Sequence, residues 1–463
     1  MSSLSGILIL TRHGDRQGFY QSPIDYSAKR TNLTVLGYVQ EYQNGQDLRS
    51  RYLTGEGAIQ GIEADISQPL QIQVEADGGG EGGVIVESAN ALLQGLFPPY
   101  NDTLLLANGS TVSWDQGRSQ LISIQSIEPD QEVYFEGWTG CKSWSKRLDD
   151  WYKSEPFNQL SSQSKPFFDS IQTLTGPNRP SNLENAWNIF DYLNVEYIHN
   201  STLSPKIGQN NVEQASYWAQ VHESFAFSSD DRSDIGNIAG RAMLNPILSS
   251  LGSISNSSNP LKISYLAASY KPFTSLFSML DLEDLKGKVV SYASTMVFEV
   301  YSDQTLQLRF RNGTQGDLSV LKVLNSTQDR IPLSQFTKEL QPYSIDTLAQ
   351  WCDVCSTTDS RGCQTLAALN GTGHAGYSSI TSTTGRHRVS PVVAGVIGSM
   401  VTLAVASLLL AIWVFFTSRP TASRRTKRLA SNKLGSAQDR DELGLVDRES
   451  FQSRSSSNPQ KPS

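Results

Sequence analysis

The chain has 463 residues, 9% of them aromatic and 18% charged, which excludes a wholly disordered or low-complexity protein. The formal charge is −7, and the last 46 residues carry ten Lys/Arg against five Asp/Glu, so the remainder sits near −12. A diffuse basic nucleic-acid surface is therefore excluded, and no nucleic-acid partner is expected.

The first element is the apolar run Ile7–Leu10, which reads as a strand and ends in Thr11-Arg12-His13-Gly14-Asp15-Arg16. Open α/β sheets place their chemistry where such strands end. Two guanidiniums can grip phosphate oxygens bidentately, and an imidazole between them can attack phosphorus. Gly14 lets the backbone pass close to a ligand. The same residues also suit an ordinary Arg/His-rich surface turn.

Beyond this turn, residues up to 100 read as helix, a second strand (Leu70–Val74), a Gly-rich turn and another helix, the alternation of an α/β sheet. The turn Asp77-Gly78-Gly79-Gly80-Glu81-Gly82-Gly83 is either an anion-binding nest or, the preferred reading, a flexible turn whose acids repel phosphate. Residues 101–235 change character. Trp138, Trp144, Trp151 and Trp187 recur at helical spacing and are expected to pack a helical core. His222-Glu223 lies in the helical stretch Val212–Phe225 and is expected to be a solvated helical pair. Leu261–Ala268 then reads as a strand, Phe273–Leu282 as a helix, and Val297–Phe310 as paired strands.

Cys141, Cys352, Cys355 and Cys363 form an even set, giving two disulfides in any of three connectivities. Zinc is the weaker alternative because the Cys-x-x-Cys pair has no spaced His, so no metal or other cofactor is expected. Residues 364–390 are rich in Gly, Ser and Thr and read as a stalk. Val392–Thr417 holds 26 residues without a charge, more than the roughly 20 that span a bilayer, and is expected to be a transmembrane helix over 391–417. Arg419, Arg424, Arg425, Lys427 and Arg428 follow it, which places residues 418–463 in the cytosol as a disordered tail and the large N-terminal part outside. The Asn-x-Ser/Thr sequons at Asn32, Asn101, Asn108, Asn200, Asn256, Asn312, Asn325 and Asn370 all precede the span and predict a glycoprotein. Met1–Leu10 lacks the basic start and cleavage site of a signal peptide.

The Arg12-His13-Gly14-x-Arg16 stretch resembles the Arg-His-Gly-x-Arg-x-Pro signature of the histidine acid phosphatases, in the phosphoglycerate-mutase-like superfamily. Leu36-Gly37, Gln40, Gly45 and Leu48-Arg49-x-Arg51-Tyr52 are similar to that family's first helix, and Ser88-Ala89 through Pro98-Pro99 to its second. The resemblance spans roughly residues 6–350. It implies an α/β phosphoglycerate-mutase-like sheet flanked by helices within residues 1–363, with a mostly helical cap inserted at about 101–235. It also implies phosphomonoester hydrolysis through a phosphohistidine at His13, with Arg12 and Arg16 holding phosphate.

The departures are specific. Position 18 is Gly where the family has Pro, and no Arg lies between Arg51 and Arg118, so the family's third phosphate-binding Arg is missing. Aligning Ser275-Leu276-Phe277 with the family's helix puts Ser269 and Tyr270 on its His-Asp pair. The second phosphate-binding His and the acid that protonates the leaving group are thereby replaced, and a general acid typically contributes 10²–10⁴-fold. Glu223 is the first carboxylate to test as a substitute. Two readings follow: a weakly active phosphatase, or a degraded cell-surface member that binds a phosphorylated ligand or acts in interaction.

Overall fold

The central strand of the protein is apolar on both faces, and its alternation sorts the core into two layers. In the computed structural model β1 (Leu4–Arg12) runs in the middle of a mixed sheet. The structure describes residues 2–371 apart from 19, 21, 23, 24, 28–30, 82 and 131. The chain divides into two units, Met1–Ala375 and Gly376–Ser463. The second unit lies outside the described residues, and with it most of the expected stalk, the Val392–Thr417 span and the tail. Among the described residues no helix is long and apolar enough to cross a membrane.

In chain order the first unit holds β1, α1 (Val35–Tyr52), β2 (Ile72–Asp77), α2 (Gly83–Leu96), β3 (Tyr100–Leu105), β4 (Thr111–Arg118) and β5 (Gln125–Ile127). Four helices follow: α3 (Lys142–Tyr152), α4 (Glu155–Thr175), α5 (Ala186–His199) and α6 (Ser204–Phe227). The chain then returns to the sheet through α7 (Ile238–Ser255), β6 (Ile263–Ala268), α8 (Lys271–Met279), β7 (Thr295–Tyr301), β8 (Thr305–Arg311), β9 (Ser319–Leu321) and β10 (Arg330–Pro332). It closes with α9 (Leu333–Leu340), α10 (Leu348–Val354) and α11 (Cys363–Gly371). The helical insert thus begins at Lys142. Residues 100–118 instead form an exposed hairpin of β3 and β4, and residues 364–371, expected in the stalk, continue α11.

The sheet order is β10-β8-β7-β1-β6-β2-β5, with β9 on β8. Strands β1, β6, β2 and β5 are mutually parallel, β7 pairs antiparallel with β1, and β8 pairs antiparallel with β7. Ile7 and Ile9 pack with Leu48, Ile85, Ala89 and Leu92 on the α1–α2 side, whereas Leu8 and Leu10 pack with Leu244, Leu251, Phe273 and Leu276 on the α7–α8 side. A strand covered on both faces reads as a continuous apolar run for this reason. Because β1, β6 and β2 are parallel, their C-terminal ends lie along one edge of the sheet. Residues that follow Arg12, Ala268 and Asp77 are brought together there.

The insert has its own aromatic core, in which Trp138, Trp151, Phe157, Phe168, Ile189 and Leu193 are buried. Trp144 is half-buried and donates Nε1–H to the Ala226 carbonyl at 2.7 Å. The disulfide Cys141–Cys355 fastens the end of α10 to this core and Cys352–Cys363 ties α11 to α10, so the cysteines of the Cys-x-x-Cys pair go to different partners.

Burial raises the pKa of two carboxyls in this framework, Glu41 and Asp77. Glu41 of α1 is fully buried, accepts one bond from Asn44 Nδ2 at 3.3 Å, and burial pushes it up to about 8. Asp77 at the end of β2 is pushed up to about 8 by burial and by the charge of Glu136. A carboxyl raised in the folded state keeps its proton there between about pH 4 and pH 8 while the unfolded chain has lost it. The folded state binds more protons in that window, so stability falls as pH rises through it. Thermal unfolding is therefore expected at higher temperature at pH 5 than at pH 8. Glu41→Gln should flatten that dependence, and a variant that keeps the parent's full slope would place the effect elsewhere.

Candidate active site

The motif sits where the parallel edge predicts. β1 pairs with β6 up to Arg12–Ala268, and the His13 backbone N–H donates to the Ala268 carbonyl at 3.2 Å. Ser269 and Tyr270 therefore follow β6 directly beside His13. The chain turns at Gly14, where an added Cβ would lie 2.6 Å from the Gly37 carbonyl oxygen of α1. The absent side chain permits that helix contact rather than passage along a ligand. The Gly14 N–H donates to Ser88 Oγ of α2 at 3.0 Å, so the helices flanking β1 hold the loop from behind.

His13 is completely buried, and its Nδ1 lies 2.8 Å from the Gly14 carbonyl. A carbonyl only accepts, so Nδ1 carries a proton and Nε2 is the atom left to face the site. Nε2 lies 2.6 Å from Glu81 Oε2. The same carboxylate oxygen is 3.1 Å from Arg16 Nε, and Arg16 Nη2 is 2.9 Å from Asp191 Oδ1 of α5. Arg12 Nη1 donates to the Val290 carbonyl, and its guanidinium lies over the rings of Tyr292 (4.4 Å) and Tyr270 (5.3 Å). Arg12 Nε and Ser269 Oγ are buried without a hydrogen-bond partner among the described residues.

Burial disfavours the charged form of His13 and holds its pKa below the ordinary value, against the pull of Glu81. Burial likewise pushes the Glu81 carboxyl up, but the attraction of His13 and Arg16 outweighs it and leaves Glu81 well below the usual range. A bare Nε2 and a bare carboxylate would set two lone pairs against each other at 2.6 Å. The contact is favourable only in the one-proton form of the pair, which fills as pH falls, and Nε2 makes no other hydrogen bond among the described residues.

The sequence reading missed Glu81, Asp191, Asp15 and Tyr292. The Gly-rich turn is held by hydrogen bonds where a flexible turn was expected, and one of its acids faces the site. Gly80 N–H donates to Glu136 Oε1 at 2.8 Å and Gly79 N–H to Asp77 Oδ1 at 2.9 Å, and the turn so pinned directs Glu81 inward. Asp15 is buried, accepts from Thr34 Oγ1 at 2.5 Å, and lies 2.8 Å from His199 Nε2 at the end of α5. The expectation that His222-Glu223 is a solvated pair is also corrected. Both residues are buried: His222 Nε2 is 2.7 Å from Tyr152 OH, His222 Nδ1 is 2.7 Å from Glu223 Oε1, and Tyr270 OH donates to Glu223 Oε2 at 2.6 Å. Burial and then Glu223 drive the Tyr270 phenol well above its ordinary value.

A cleft of about 370 Å³ opens beside this cluster and is lined by Arg12, Trp187, Asp191, Asn194, Gln220 and Tyr292 among others. Its walls mix amides and aromatic rings with aliphatic side chains, and Arg12 and Asp191 are their charged members. Among the described residues no group of three or more His, Cys, Asp or Glu side chains is placed to hold a metal ion.

Residues 17–324 match the profile of the histidine phosphatase superfamily, branch 2. The match begins directly after the Arg-His-Gly turn. Lysosomal acid phosphatase of Xenopus laevis is 26% identical over 76% of this chain and 78% of its own length. The Homo sapiens lysosomal acid phosphatase is 24% identical over 76% and 81%, and the Bos taurus prostatic acid phosphatase 23% identical over 78% and 89%. Among solved structures, Klebsiella sp. ASR1 phytase superposes with a TM-score of 0.53 at 15% identity over 74% of this chain and 95% of that one. Hafnia alvei phytase in complex with myo-inositol hexakis sulphate superposes with a TM-score of 0.51 at 16% identity, over 76% and 98%. With the sheet, the edge at which the motif emerges and the extent of the match all in agreement, the chain belongs to the histidine phosphatase superfamily, branch 2.

Proposed function

We propose that this protein hydrolyses phosphomonoesters through a phosphohistidine at His13, with Arg12 and Arg16 holding the phosphoryl group. One observation carries the reading: an oxyanion, the Glu81 carboxylate, already sits on His13 Nε2 and Arg16. A phosphoryl group placed there meets the same imidazole and guanidinium, and its further oxygens find the buried Arg12 Nε and Ser269 Oγ without partners. Hydrolysis of an aryl phosphate by the full chain should be abolished by His13→Ala. An unchanged rate in that variant would refute the assignment.

A second reading is favoured by the replacement of the His-Asp pair. Tyr270 commits its proton to Glu223, and Ser269 is far less acidic than a carboxylic acid. On this reading the site binds a phosphorylated ligand without turning it over. Both readings require anion binding, because bidentate charge-assisted contacts need no general acid. Phosphate or vanadate should raise the melting temperature by preferential binding to the folded state, and Arg16→Ala should remove that rise. Absence of a shift in the parent protein would contradict both readings.

We infer that the globular part lies in the lumen or outside the cell, anchored by Val392–Thr417. The uncharged length of that segment, the basic cluster after it and the two disulfides before it support this placement. Asn32, Asn101, Asn108, Asn256, Asn312 and Asn325 are exposed, as acceptors of N-glycans need to be. Protease added to intact cells or sealed vesicles should spare a tag fused after Ser463, and loss of the tag would reverse the orientation.

A further inference from the structure

The proton for the leaving group has no donor at the family's usual place. Tyr270 gives its hydroxyl proton to Glu223, and the other Glu223 oxygen is taken by His222. The carboxylate in contact with the attacking nitrogen is Glu81, at 2.6 Å. Because His13 Nδ1 is committed to the Gly14 carbonyl, the proton that this pair binds as pH falls goes between Nε2 and Glu81. That proton blocks attack while it remains, and it must leave Nε2 before phosphorus can bond there.

We propose that Glu81, on the glycine turn after β2, is the general acid and base of this site, a reading that rests on the phosphohistidine chemistry proposed above. The phosphoryl oxygens displace Glu81 from Arg16 and from the front of Nε2, and Glu81 carries away the shared proton as a carboxylic acid. The freed Nε2 lone pair forms the N–P bond. The P–O bond to the leaving group breaks, its electron pair goes to the leaving oxygen, and that oxygen takes the proton from Glu81. In the second half-reaction the Glu81 carboxylate removes a proton from water as the water oxygen bonds to phosphorus. The N–P bond breaks, its electron pair returns to Nε2, and phosphate departs. Glu81 is then protonated and the resting pair reforms. Ester and water are consumed, and alcohol and phosphate are produced.

The turn is built for this displacement. Its base is pinned by the bonds from Gly79 to Asp77 and from Gly80 to Glu136, so Glu81 moves relative to a fixed origin. Glu81 is preceded by Gly80, a residue type that changes ψ at little steric cost. The leaving oxygen stands one P–O bond beyond a phosphorus that itself sits about 3–3.5 Å from Nε2 in a near-attack geometry. The family's acid enters from the strand equivalent to β6, whereas here it enters from β2, the next parallel strand at the same edge.

The test is a leaving-group comparison in the full-length protein, using 4-nitrophenyl phosphate and glycerol 2-phosphate with the parent, Glu81→Gln and Glu81→Asp. The reported quantity is kcat/KM, which reads the phosphorylation step. Glu81→Gln should lower it about 10²–10⁴-fold for the alkyl ester and far less for the aryl ester, whose leaving group needs no proton. Vanadate should bind Glu81→Gln at least as tightly as the parent, and Glu81→Asp should recover part of the alkyl rate. A rise in kcat/KM for both esters in Glu81→Gln would make Glu81 a plug and overturn the proposal. An equal loss for both esters would make its role structural and also overturn it. A parent without His13-dependent turnover of either ester would instead refute the hydrolase reading, and this inference with it.

Discussion

The site depends on the register of β1 between β6 and β7. That register is not set by hydrophobic alternation, because Ile7, Leu8, Ile9 and Leu10 are apolar on both faces and a slip of one residue would keep all four buried. It is set at the ends of the strand. A Cβ at Gly6 would lie 2.5 Å from the Lys262 carbonyl oxygen, and one at Gly14 would lie 2.6 Å from that of Gly37. A slip in either direction would bring a side chain into one of these contacts and move His13 away from the end of β6. Two glycines eight positions apart thus fix where the imidazole stands.

Without a proton on the His13–Glu81 pair, the empty site balances its own charge. Two buried guanidiniums face two buried carboxylates, Glu81 and Asp191, and Arg12 is further covered by aromatic rings. Burying ions costs several kcal/mol each unless partners compensate, and truncating one partner leaves the other exposed to that cost. Ligand affinity here is consequently a difference. An incoming phosphoryl group gains the contacts of Arg16 and His13 but must first remove Glu81 from them. A neutral or weakly anionic group lacks the charge to do so. The same carboxylate that keeps the empty pocket stable sets a threshold for what enters it.

Much of the architecture was legible in the chain. A continuous apolar run ending in Arg-His-Gly identifies a buried strand, and the spacing around Ser275-Leu276-Phe277 picks out Ser269 and Tyr270, which follow β6 just after the Ala268 carbonyl that accepts from the His13 N–H. His222 was misplaced although the signal was present. Ala215, Ala219 and His222 share one helical face, Ala215 and Ala219 are fully buried, and the histidine goes where they go. The direction of Glu81 had no such signal. A glycine run carries no periodicity, and the turn is aimed by Glu136, a residue more than fifty positions away. The disulfide pairing was equally hidden, because it follows from α10 folding back so that Trp351 Nε1 donates to the Gly137 carbonyl at 2.7 Å.

Helix α5 joins these features. It belongs to the insert and not to the sheet, yet Trp187 lies by the Arg12 guanidinium at 5.9 Å, Asp191 holds Arg16, and His199 holds Asp15. Three side chains along one helix therefore reach three of the residues in and around the motif, while the same helix lines the cleft with Asn194. A shift of α5 cannot change the shape of the cleft without also changing the partners of Arg16 and Asp15. Substrate recognition and the alignment of the phosphate clamp are coupled through this one element. The packing of α5 against α6 in the aromatic core of the insert, remote from phosphorus, is accordingly part of what holds the reacting groups in place.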